Sequence, residues 1–564
     1  MAPLTAISGS SKGSEIPIFE DIEQQLTLDD GALHTITSQF LEDFRLGLGE
    51  YNHSMAMIPT FVTGVPNGTE TGTFLALDLG GTNLRVCEVK LLGNHEFTLR
   101  QQKYRVSEAL KTGEASALFD YLADSVDAFL TTPTVSPTTA AFNPFAGPSA
   151  IDEIDPEVDP ALPLGLTFSF PVEQTALNEG KILTWTKGFS AKNAVGNDVV
   201  KLLQDAFNRK HLHVRCVALV NDTVGALLSR AYTAGGCILG AIFGTGTNGA
   251  YVEKVENITK LGDAAVRKNG GHMVVNCEWG GFNNTRTVLP TTPFDNKLDR
   301  ESINPRLQAF EKFISGMYLG EITRNICLSL IDAAPRPLLF NGRSSKVLNS
   351  HYGLDTAVLS EVEAAWEAGR ASDLKVKGVE GSKDPITADQ TDSSAKQPPS
   401  KITALTKPNG TAHASSSHVA HLLDIDSYSA EDKSRLERIR SILIQRLDLP
   451  DEDVSLRDAA VFRWATSLVA NRAAKLSACA VATVLVQTGR AKLGGGLRPE
   501  EESVVIGVDG SLIEHYPNFN AHLRESLRAL VGEEVESRVD IGMAKDGSGV
   551  GAALCALQAI KQGL

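Results

Sequence analysis

The chain lacks the cysteine and histidine arrangements that mark a structural zinc site. Its seven cysteines are scattered, with no Cys-x-x-Cys pair and no cluster of cysteine with histidine, at positions 87, 216, 237, 277, 327, 479 and 555. Scattered cysteines are typical of proteins from a reducing compartment. We therefore expect no structural zinc.

Basic residues are also scarce. Lys and Arg number 53 against 68 Asp and Glu, which gives a net charge of −15. Nucleic acids and anionic membranes bind basic surfaces, so neither is expected as a partner. Because the sequence suggests no transmembrane helix and no targeting pattern at its N-terminus, we expect no membrane insertion and a cytoplasmic location, with association at the nucleus or the mitochondrial surface left open.

Two common phosphate-transfer patterns are absent. No Gly-x-x-x-x-Gly-Lys-Ser/Thr occurs, which excludes P-loop enzymes, and the lack of His-Arg-Asp and Asp-Phe-Gly excludes protein kinases. With 564 residues, 42% of them hydrophobic, the chain is long enough for more than one domain. Composition further predicts a disordered tail over 1–17, an insertion rich in Pro, Thr and acids over 131–163, and a disordered insertion over 370–418.

The rest of the chain is organised around the stretch Phe74–Val89, FLALDLGGTNLRVCEV. An apolar strand carries Asp78 near its end, turns through Gly80-Gly81-Thr82-Asn83 and continues as a second strand. Adjacent glycines let backbone N–H groups approach a phosphate, and Asp78 is placed to hold the Mg²⁺ of that phosphate or its waters. An ordinary hairpin turn is the alternative interpretation.

A second stretch repeats the pattern. Cys237–Val252, CILGAIFGTGTNGAYV, again places a glycine turn, Gly244–Asn248, between two apolar runs. Two such units favour two related lobes, each offering a hairpin to one end of a polyphosphate. The alternation of strands and helices predicts an α/β fold. Strands are expected over 97–106, 164–170, 214–220 and 504–508, and helices over 115–130, 199–207, 461–486 and 552–561.

An acid follows one of these strands. Asn221 and Asp222 come directly after Val214–Val220, at the strand end where α/β proteins place catalytic groups. A carboxylate there could accept a proton from an attacking hydroxyl. Alternatively, Asp222 caps the helix that follows.

Polar residues also stand beside aromatic rings in three motifs, TFSFP at 167–171, WTKGF at 185–189 and NCEWG at 276–280. Hydroxyl-binding groups among aromatic rings are typical of a sugar site. The alternative for Lys187 and Glu278 is an ordinary solvated charge.

The order of the motifs resembles that of hexokinases, and of fungal single-unit enzymes in particular. The matching motifs cover nearly the whole chain outside the tail and the two insertions; they are LDLGGTN, TFSFP, WTKGF, ALVNDTVG, IFGTGTNGA, NCEWG, FEKFISG, VDGS and DGSGVGAA. The resemblance implies the actin-like, ribonuclease-H-like ATPase fold, with two lobes and a cleft between them. It implies a small lobe over 72–222 and 546–564 and a large lobe over 18–71 and 223–545.

The resemblance also implies a reaction, the ATP-dependent phosphorylation of glucose, fructose or mannose at the 6-hydroxyl, as the first step of glycolysis. Asp222 matches the catalytic base, and Lys187 is expected to assist it. The residues that match hexose ligands are Ser169, Thr186, Lys187, Asn221, Asn248, Glu278 and Glu311. The residues that match contacts of ATP are Asp78, Gly80, Gly81, Thr82, Asn83, Thr245, Gly547 and Ser548, with Mg²⁺ reached from Asp78 through water and no direct metal ligand.

Some positions depart from the family pattern. Arg306 stands where a glycine is common, Phe313 replaces a common Met, and Lys545 replaces an acid. Some fungal hexokinase-like proteins are sugar-sensing regulators with weak or no catalysis, and the 370–418 insertion, a possible site for regulatory partners, is reminiscent of them. That is the alternative function. An actin-like or chaperone-like ATPase is disfavoured, because WTKGF and NCEWG have no role there. A monomer or a homodimer is expected.

Overall fold

The computed structural model describes residues 15–80, 83–132, 161–185, 188–368, 415–496 and 503–564. Nearly all of the predicted tail and of both predicted insertions therefore lies outside the described residues. The described chain forms two compact units. The larger unit contains Leu28–Leu319 and Ala470–Leu564, and the smaller unit contains Gly320–Val469 and the segment that ends at Thr27.

Strands and helices are numbered separately, in chain order. The strands are β1 Ile58–Pro59, β2 Thr71–Leu79, β3 Asn83–Leu92, β4 Phe97–Arg105, β5 Leu162–Phe168, β6 Val172–Ala176, β7 Glu179–Ile182, β8 Val214–Val220, β9 Leu239–Phe243, β10 Thr247–Lys254, β11 His272–Asn276, β12 Val504–Asp509 and β13 Val539–Met543. The helices are α1 Ile16–Leu26, α2 Asp30–Gly49, α3 Glu108–Thr112, α4 Ala115–Thr131, α5 Val199–Arg209, α6 Asp222–Ala234, α7 Ala265–Asn269, α8 Pro293–Glu301, α9 Ala309–Ile314, α10 Gly316–Ile331, α11 Lys346–Asn349, α12 Thr356–Glu367, α13 Ser415–Leu423, α14 Ala430–Leu447, α15 Leu456–Gln487, α16 Ser511–His515, α17 Phe519–Val531, α18 Glu533–Glu536 and α19 Gly547–Lys561. Single 3₁₀ turns lie at Val255–Asn257, Thr259–Leu261, Trp279–Gly281, Phe340–Gly342, Ile425–Ser427 and Asp451–Asp453.

Two sheets of the larger unit share one topology. The first has the order β4-β3-β2-β5-β8, in which β3 runs antiparallel to its neighbours while β5 and β8 run parallel to β2. The second has the order β11-β10-β9-β12-β13 with the same strand directions, and β1 extends its edge. In each sheet the first hairpin carries one of the two predicted glycine turns. The repeated topology confirms the predicted actin-like α/β fold; the boundaries expected for the two lobes stay a prediction.

The alternation of β2 decides what each of its side chains contacts. Leu75, Leu77 and Leu79 share a core with α4 and α5, whereas Phe74 and Ala76 share another core with α6 and α19. Both faces are buried because helices pack on each side of the sheet. With a period of two, Asp78 falls on the face of α6 and α19. The same alternation that builds the core thus aims the acid toward the first residues of α19.

Glycines bring α6 and α19 into close contact. A Cβ on Gly551 would lie 2.1 Å from the Cα of Gly225, and a Cβ on Gly225 would lie 2.5 Å from the carbonyl oxygen of Gly547. Real Cβ atoms do not approach backbone atoms so closely, so both positions require glycine. This contact fixes the N-terminal end of α19, which carries Gly547 and Ser548, against α6.

The smaller unit is mainly helical. Phe19 packs edge-on against Trp464, and the side chains of the buried pair Arg324 and Glu321 are 2.5 Å apart.

Among the described residues one helix, α15, is long and apolar enough to cross a membrane. The expectation that the sequence holds no stretch of that length and composition was therefore wrong. Its apolar window is 83% buried inside the fold, which is typical of a core helix.

Candidate active site

The first glycine turn closes on itself. The backbone N–H of Gly80 donates to the carbonyl of Asn83 at 3.1 Å, so β2 and β3 meet in a tight turn directly after Asp78. Gly81 and Thr82, which were expected to contact ATP, lie outside the described residues. The described part of the turn has the predicted strand–turn–strand form.

Arg85 joins this turn to the start of α19. Its Nη2 and Nε donate to Oδ2 of Asp78 at 2.7 and 2.9 Å, and its Nη1 donates to Oδ1 of Asp546 at 3.1 Å. Burial lowers the pKa of Arg85, but the two carboxylates outweigh it and the net shift of that pKa is upward. One guanidinium therefore holds two acids, from β2 and from the segment before α19, in fixed positions.

The start of α19 is held from a second side. Thr167 on β5 donates its hydroxyl to the carbonyl of Ser548 at 2.8 Å. Gly547 is the first residue of α19, and it packs against Ala226 of α6. Gly547 and Ser548, both expected to hold ATP, thus lie on a segment fixed by α6, β5 and Arg85.

The second glycine turn packs against the end of β12. Gly244 accepts from the N–H of Gly316 at 2.7 Å, and Thr245 accepts from the N–H of Met317 at 3.1 Å. A Cβ on Gly510, whose φ is +115°, would lie 2.5 Å from the carbonyl carbon of Phe243. The Asp509–Ser511 segment therefore passes close to the backbone of this turn.

Asp222 begins α6 near Asp509. Burial raises the pKa of Asp509, and the negative charge of Asp222 raises it further, while the N–H of Gly510 opposes the shift. The N-cap of α6 is Asn221, whose Oδ1 accepts from the N–H of Thr223 at 2.9 Å. The alternative interpretation, in which Asp222 caps α6, was therefore wrong: Asp222 is the first residue of the helix and not its N-cap. The Oδ1 of Asp222 nevertheless also accepts from the N–H of Thr223, at 2.9 Å.

Two predicted hexose ligands form one polar cluster. The Nδ2 of Asn248 donates to Oε1 of Glu278 at 3.2 Å and to Oδ1 of Asn276 at 2.9 Å, and Asn276 donates to the same Glu278 oxygen at 2.8 Å. Glu278 has a φ of 53°, in the left-handed region. The neighbouring Trp279 is buried and donates its Nε1–H to Thr247 at 3.0 Å. These bonds fix the orientation of Asn248 and Glu278.

Glu311 lies beside the second glycine turn. Its Oε1 accepts from the N–H of Thr247 at 3.4 Å, and a Cβ on Gly246 would lie 2.8 Å from the same oxygen. Because Asn248 follows in the same turn, Glu311 belongs to the neighbourhood of the polar cluster.

A narrow cavity lies next to the cluster, with room for about one water molecule (about 10 Å³). It is lined by Ile58, Thr60, Phe168, Phe170, Val172, Gln174, Leu219, Val220, Asn221, Asn276 and Glu278. Phe170 packs edge-on against Trp185, with ring centres 5.0 Å apart. In the sequence, Ser169 stands between the two lining residues Phe168 and Phe170. Apolar walls with a few fixed polar groups are typical of small-molecule sites.

The predicted site residues that the structure describes all lie in the larger unit, where Asn248, Glu278 and Glu311 form one neighbourhood and Asp78, Gly547 and Ser548 form another. Thr186 and Lys187 lie outside the described residues. The sequence did not predict that Arg85 joins Asp78 to Asp546. Nor did it predict that Asn276 belongs to the polar cluster of Asn248 and Glu278. Strand alternation could have found Arg85, because it is two residues before Cys87 on β3 and therefore shares its face toward α19.

Comparisons with known proteins agree with this arrangement. Two models of the hexokinase family match the chain, one over residues 18–232 and one over 238–393 and 409–558. The chain is 38% identical to a glucokinase of Aspergillus niger, with 93% of each chain covered, and 32% identical to hexokinase-1 of Schizosaccharomyces pombe, with 97% of this chain and 93% of that one covered.

A solved structure is similar over the same length. The hexokinase from Schistosoma mansoni, complexed with glucose, is 30% identical, has a TM-score of 0.71 and is matched over 97% of this chain and 100% of that chain. Sequence and structure therefore point to one family, whose reaction is ATP-dependent phosphoryl transfer to a hexose. The chain belongs to the hexokinase family.

Proposed function

We propose that the chain transfers the γ-phosphoryl group of MgATP to the 6-hydroxyl of a hexose, with Asp222 as the base that takes the hydroxyl proton. The observation that carries the proposal is the position of Asp222, which follows the cavity-lining Asn221 and lies near Asp509 beside the second glycine turn. A carboxylate next to a cavity with polar lining groups is suited to accept the proton of an attacking hydroxyl. The alternative, a sugar-sensing regulator with weak or no catalysis, is not favoured.

The polar cluster supports the hexose half of the proposal. A carboxylate can accept hydrogen bonds from sugar hydroxyls, and an amide can both donate to and accept from them. The hydrogen bonds among Asn248, Asn276 and Glu278 fix the orientation of these groups. Asn221 is fixed in the same way by its cap to Thr223. Ser169, Thr186, Lys187 and Glu311 complete the proposed set of hexose ligands.

The two turns support the nucleotide half. Gly80, Asn83 and Thr245 would bind phosphate oxygens through backbone and side-chain donors, and Gly547 and Ser548 would hold the adenosine. Asp78 has the oxygen ligands that Mg²⁺ prefers, so the residues fit a magnesium–nucleotide complex. Mg²⁺ held near Asp78 would neutralise the negative charge that develops on the phosphates during transfer.

The chain's own contribution to the reaction is positioning. Asp222 would accept the proton of the 6-hydroxyl as its oxygen attacks in line, and Lys187 would stabilise negative charge nearby. Phosphoryl transfer needs little covalent chemistry from the protein, so orientation of the substrates and exclusion of water should supply most of the rate. We propose glucose, fructose and mannose as substrates, a cytoplasmic location, a monomer or homodimer, and the 370–418 segment as a site for regulatory partners.

The test is the substitution Asp222→Asn in the full-length chain. Turnover in a coupled assay with MgATP and each of the three hexoses should fall by about 10²–10⁴. Glucose binding, measured by calorimetry, should stay within about twofold, because Asn keeps the shape of the side chain. Asp205→Asn, an exposed acid on α5, is the matched control and should keep full turnover.

Three results would contradict the proposal. Retained turnover in Asp222→Asn would reject this residue as the base. Glucose binding by the wild-type chain without release of ADP would select the regulatory alternative. Hydrolysis of ATP that does not depend on sugar would favour an actin-like ATPase.

A further inference from the structure

Asp299, near the end of α8, joins three separate segments through one buried carboxylate. Its Oδ1 accepts from Nζ of Lys312 at 2.7 Å and lies 2.8 Å from Nη2 of Arg286. Both of its oxygens also accept from the backbone N–H of Arg306 at 3.1 Å. Asp299 is 5% exposed and Lys312 is 2% exposed, so these bonds are made almost without water.

The network holds the loop over 302–308 in an unusual conformation. Arg306 and Gln308 have φ values of 66° and 53°, in the left-handed region that side-chain-bearing residues rarely adopt. Such residues persist only where neighbouring groups hold them in place. Asp299 holds Arg306 through its N–H, and Lys312 donates a second bond, at 2.8 Å, to the carbonyl of Asn304.

The loop ends at the helix that carries Glu311. Helix α9 has only six residues, so it cannot fix its own position and depends on its contacts. Lys312, the direct neighbour of Glu311, is one of those contacts. Another is the hydrogen bond that the N–H of Ala309 donates to Oδ1 of Asn284, at 3.0 Å. A shift of the loop would therefore move Glu311 away from Gly246 and Thr247.

We propose that Asp299 is a positioning residue for hexose binding: it holds the 302–308 loop and α9 so that Glu311 stays in reach of the sugar. The inference rests on the proposed role of Glu311 as a hexose ligand. Burial would raise the pKa of Asp299, but Lys312, the N–H of Arg306 and Arg286 outweigh it and keep that pKa below its ordinary value. The carboxylate is thus charged at neutral pH, as its role requires.

A second acid on the same helix provides a matched control. Asp295 is 4% exposed and binds Arg472 through two bonds of 2.7 and 2.8 Å. It also bonds to Thr292 at the start of α8. Asp295 and Asp299 are therefore both buried, paired acids of α8, but only Asp299 bonds to the loop and to α9. Loss of a buried ion pair in general should affect both alike.

The experiment compares Asp299→Asn with Asp295→Asn in the full-length chain. The KM for glucose and the dissociation constant for glucose without nucleotide should rise about tenfold or more in Asp299→Asn, because a charged network that orients a ligand is lost. The KM for ATP should stay within about twofold. Asp295→Asn should lower the thermal midpoint but leave the affinity of the folded protein for glucose within about twofold.

If Asp299→Asn does not fold, the double variant Asp299→Asn with Lys312→Met also removes the charge of Lys312, the more deeply buried of the two cations that Asp299 pairs with. The same selective loss of glucose affinity is expected there. Equal glucose affinity of the foldable Asp299 variant and the wild type would overturn the proposal, as would an equal loss in Asp295→Asn. The wild-type assay with MgATP tests the phosphoryl transfer separately, since the glucose affinity of each variant is measured without nucleotide.

Discussion

Replacement of Arg85 by Met should weaken both the fold and the nucleotide site. Arg85 binds Asp78 at 2.7 Å and Asp546 at 3.1 Å, and Met keeps much of its apolar stem while removing the charge. The two acids then face each other without the cation between them. The net charge of this group therefore changes from −1, for Arg85 with the two acids, to −2, for the two acids alone.

The magnitude follows from the burial of the three side chains. The side chain of Arg85 is 26% exposed, that of Asp78 11% and that of Asp546 22%, so the network is neither fully buried nor on the surface. Breaking a buried pair costs about 3–5 kcal/mol, whereas a surface pair contributes about 0–1 kcal/mol. We therefore expect the free energy of unfolding to fall by about 2–3 kcal/mol. The added negative charge near the polyphosphate should weaken ATP binding by about 1–2 kcal/mol, or roughly five- to thirtyfold in KM.

Urea denaturation and steady-state kinetics measure the two effects separately. The double variant Arg85→Met with Asp546→Asn removes one of the unpaired acids, so it should recover part of the stability lost in the single variant. Arg209→Met is the control, because Arg209 pairs with Asp120 at 2.6 Å with side chains 48% and 35% exposed. That control should cost about 1 kcal/mol or less and leave the KM for ATP unchanged.

Two results would refute the reasoning about Arg85. A KM for ATP that is unchanged in Arg85→Met would mean that the two acids do not face the nucleotide. A double variant whose loss of stability equals the sum of the two single losses would mean that Arg85 acts through packing and not through charge.

Two further predictions concern parts of the fold that support the site. Gly551→Ala should destabilise the protein by about 1–3 kcal/mol and raise the KM for ATP, because its Cβ would lie 2.1 Å from Gly225; Gly49→Ala, whose nearest neighbour is 3.9 Å away, is the control in urea denaturation. Burial lowers the pKa of Lys260 from 10.5 to about 8, while its Nζ donates to the carbonyls of Gly47 and Ala56. The unfolded chain then binds the proton up to a higher pH than the folded one, so the free energy of unfolding should rise from neutral pH to about 10. Lys260→Met should lack that rise; an identical pH profile would show that the pKa of Lys260 is not lowered.

The strands and helices with a strong period were predictable from the sequence. The strand over 214–220 and the helix over 115–130 agree with β8 and α4 to within one residue. The sequence placed the last helix at 552, whereas α19 begins at Gly547. Glycines normally disfavour a helix, but the close approach of α19 to α6 requires them, so tertiary packing outweighs local preference. The short strands β6, β7, β11 and β13 were missed, since four or five residues show little period.

Local motifs predict candidate site residues where the proposed role depends on residue type. Asp78, Asp222 and Glu278 stand in recognisable motifs, and they lie in the larger unit beside the turns and the cavity. Arg85 and Asp299 were missed because their roles depend on side-chain contacts that no recognised motif records. Arg85 contacts Asp546, and Asp299 contacts Lys312 and Arg306 from other segments. Such pairs follow from topology and not from spacing along the chain.

Arg306 stands at a position where the resemblance to hexokinases implies a glycine, and its backbone has a conformation that glycine favours. The sequence has arginine where glycine is common, which raised the question of whether its side chain fills the hexose site. The residue keeps a φ of 66°, the conformation for which glycine is preferred, and its side chain is exposed. An L-residue in that region costs about 1–3 kcal/mol, and its N–H bonds to the Asp299 carboxylate offset part of this. The arginine therefore adds a cation at the surface and does not line the cavity.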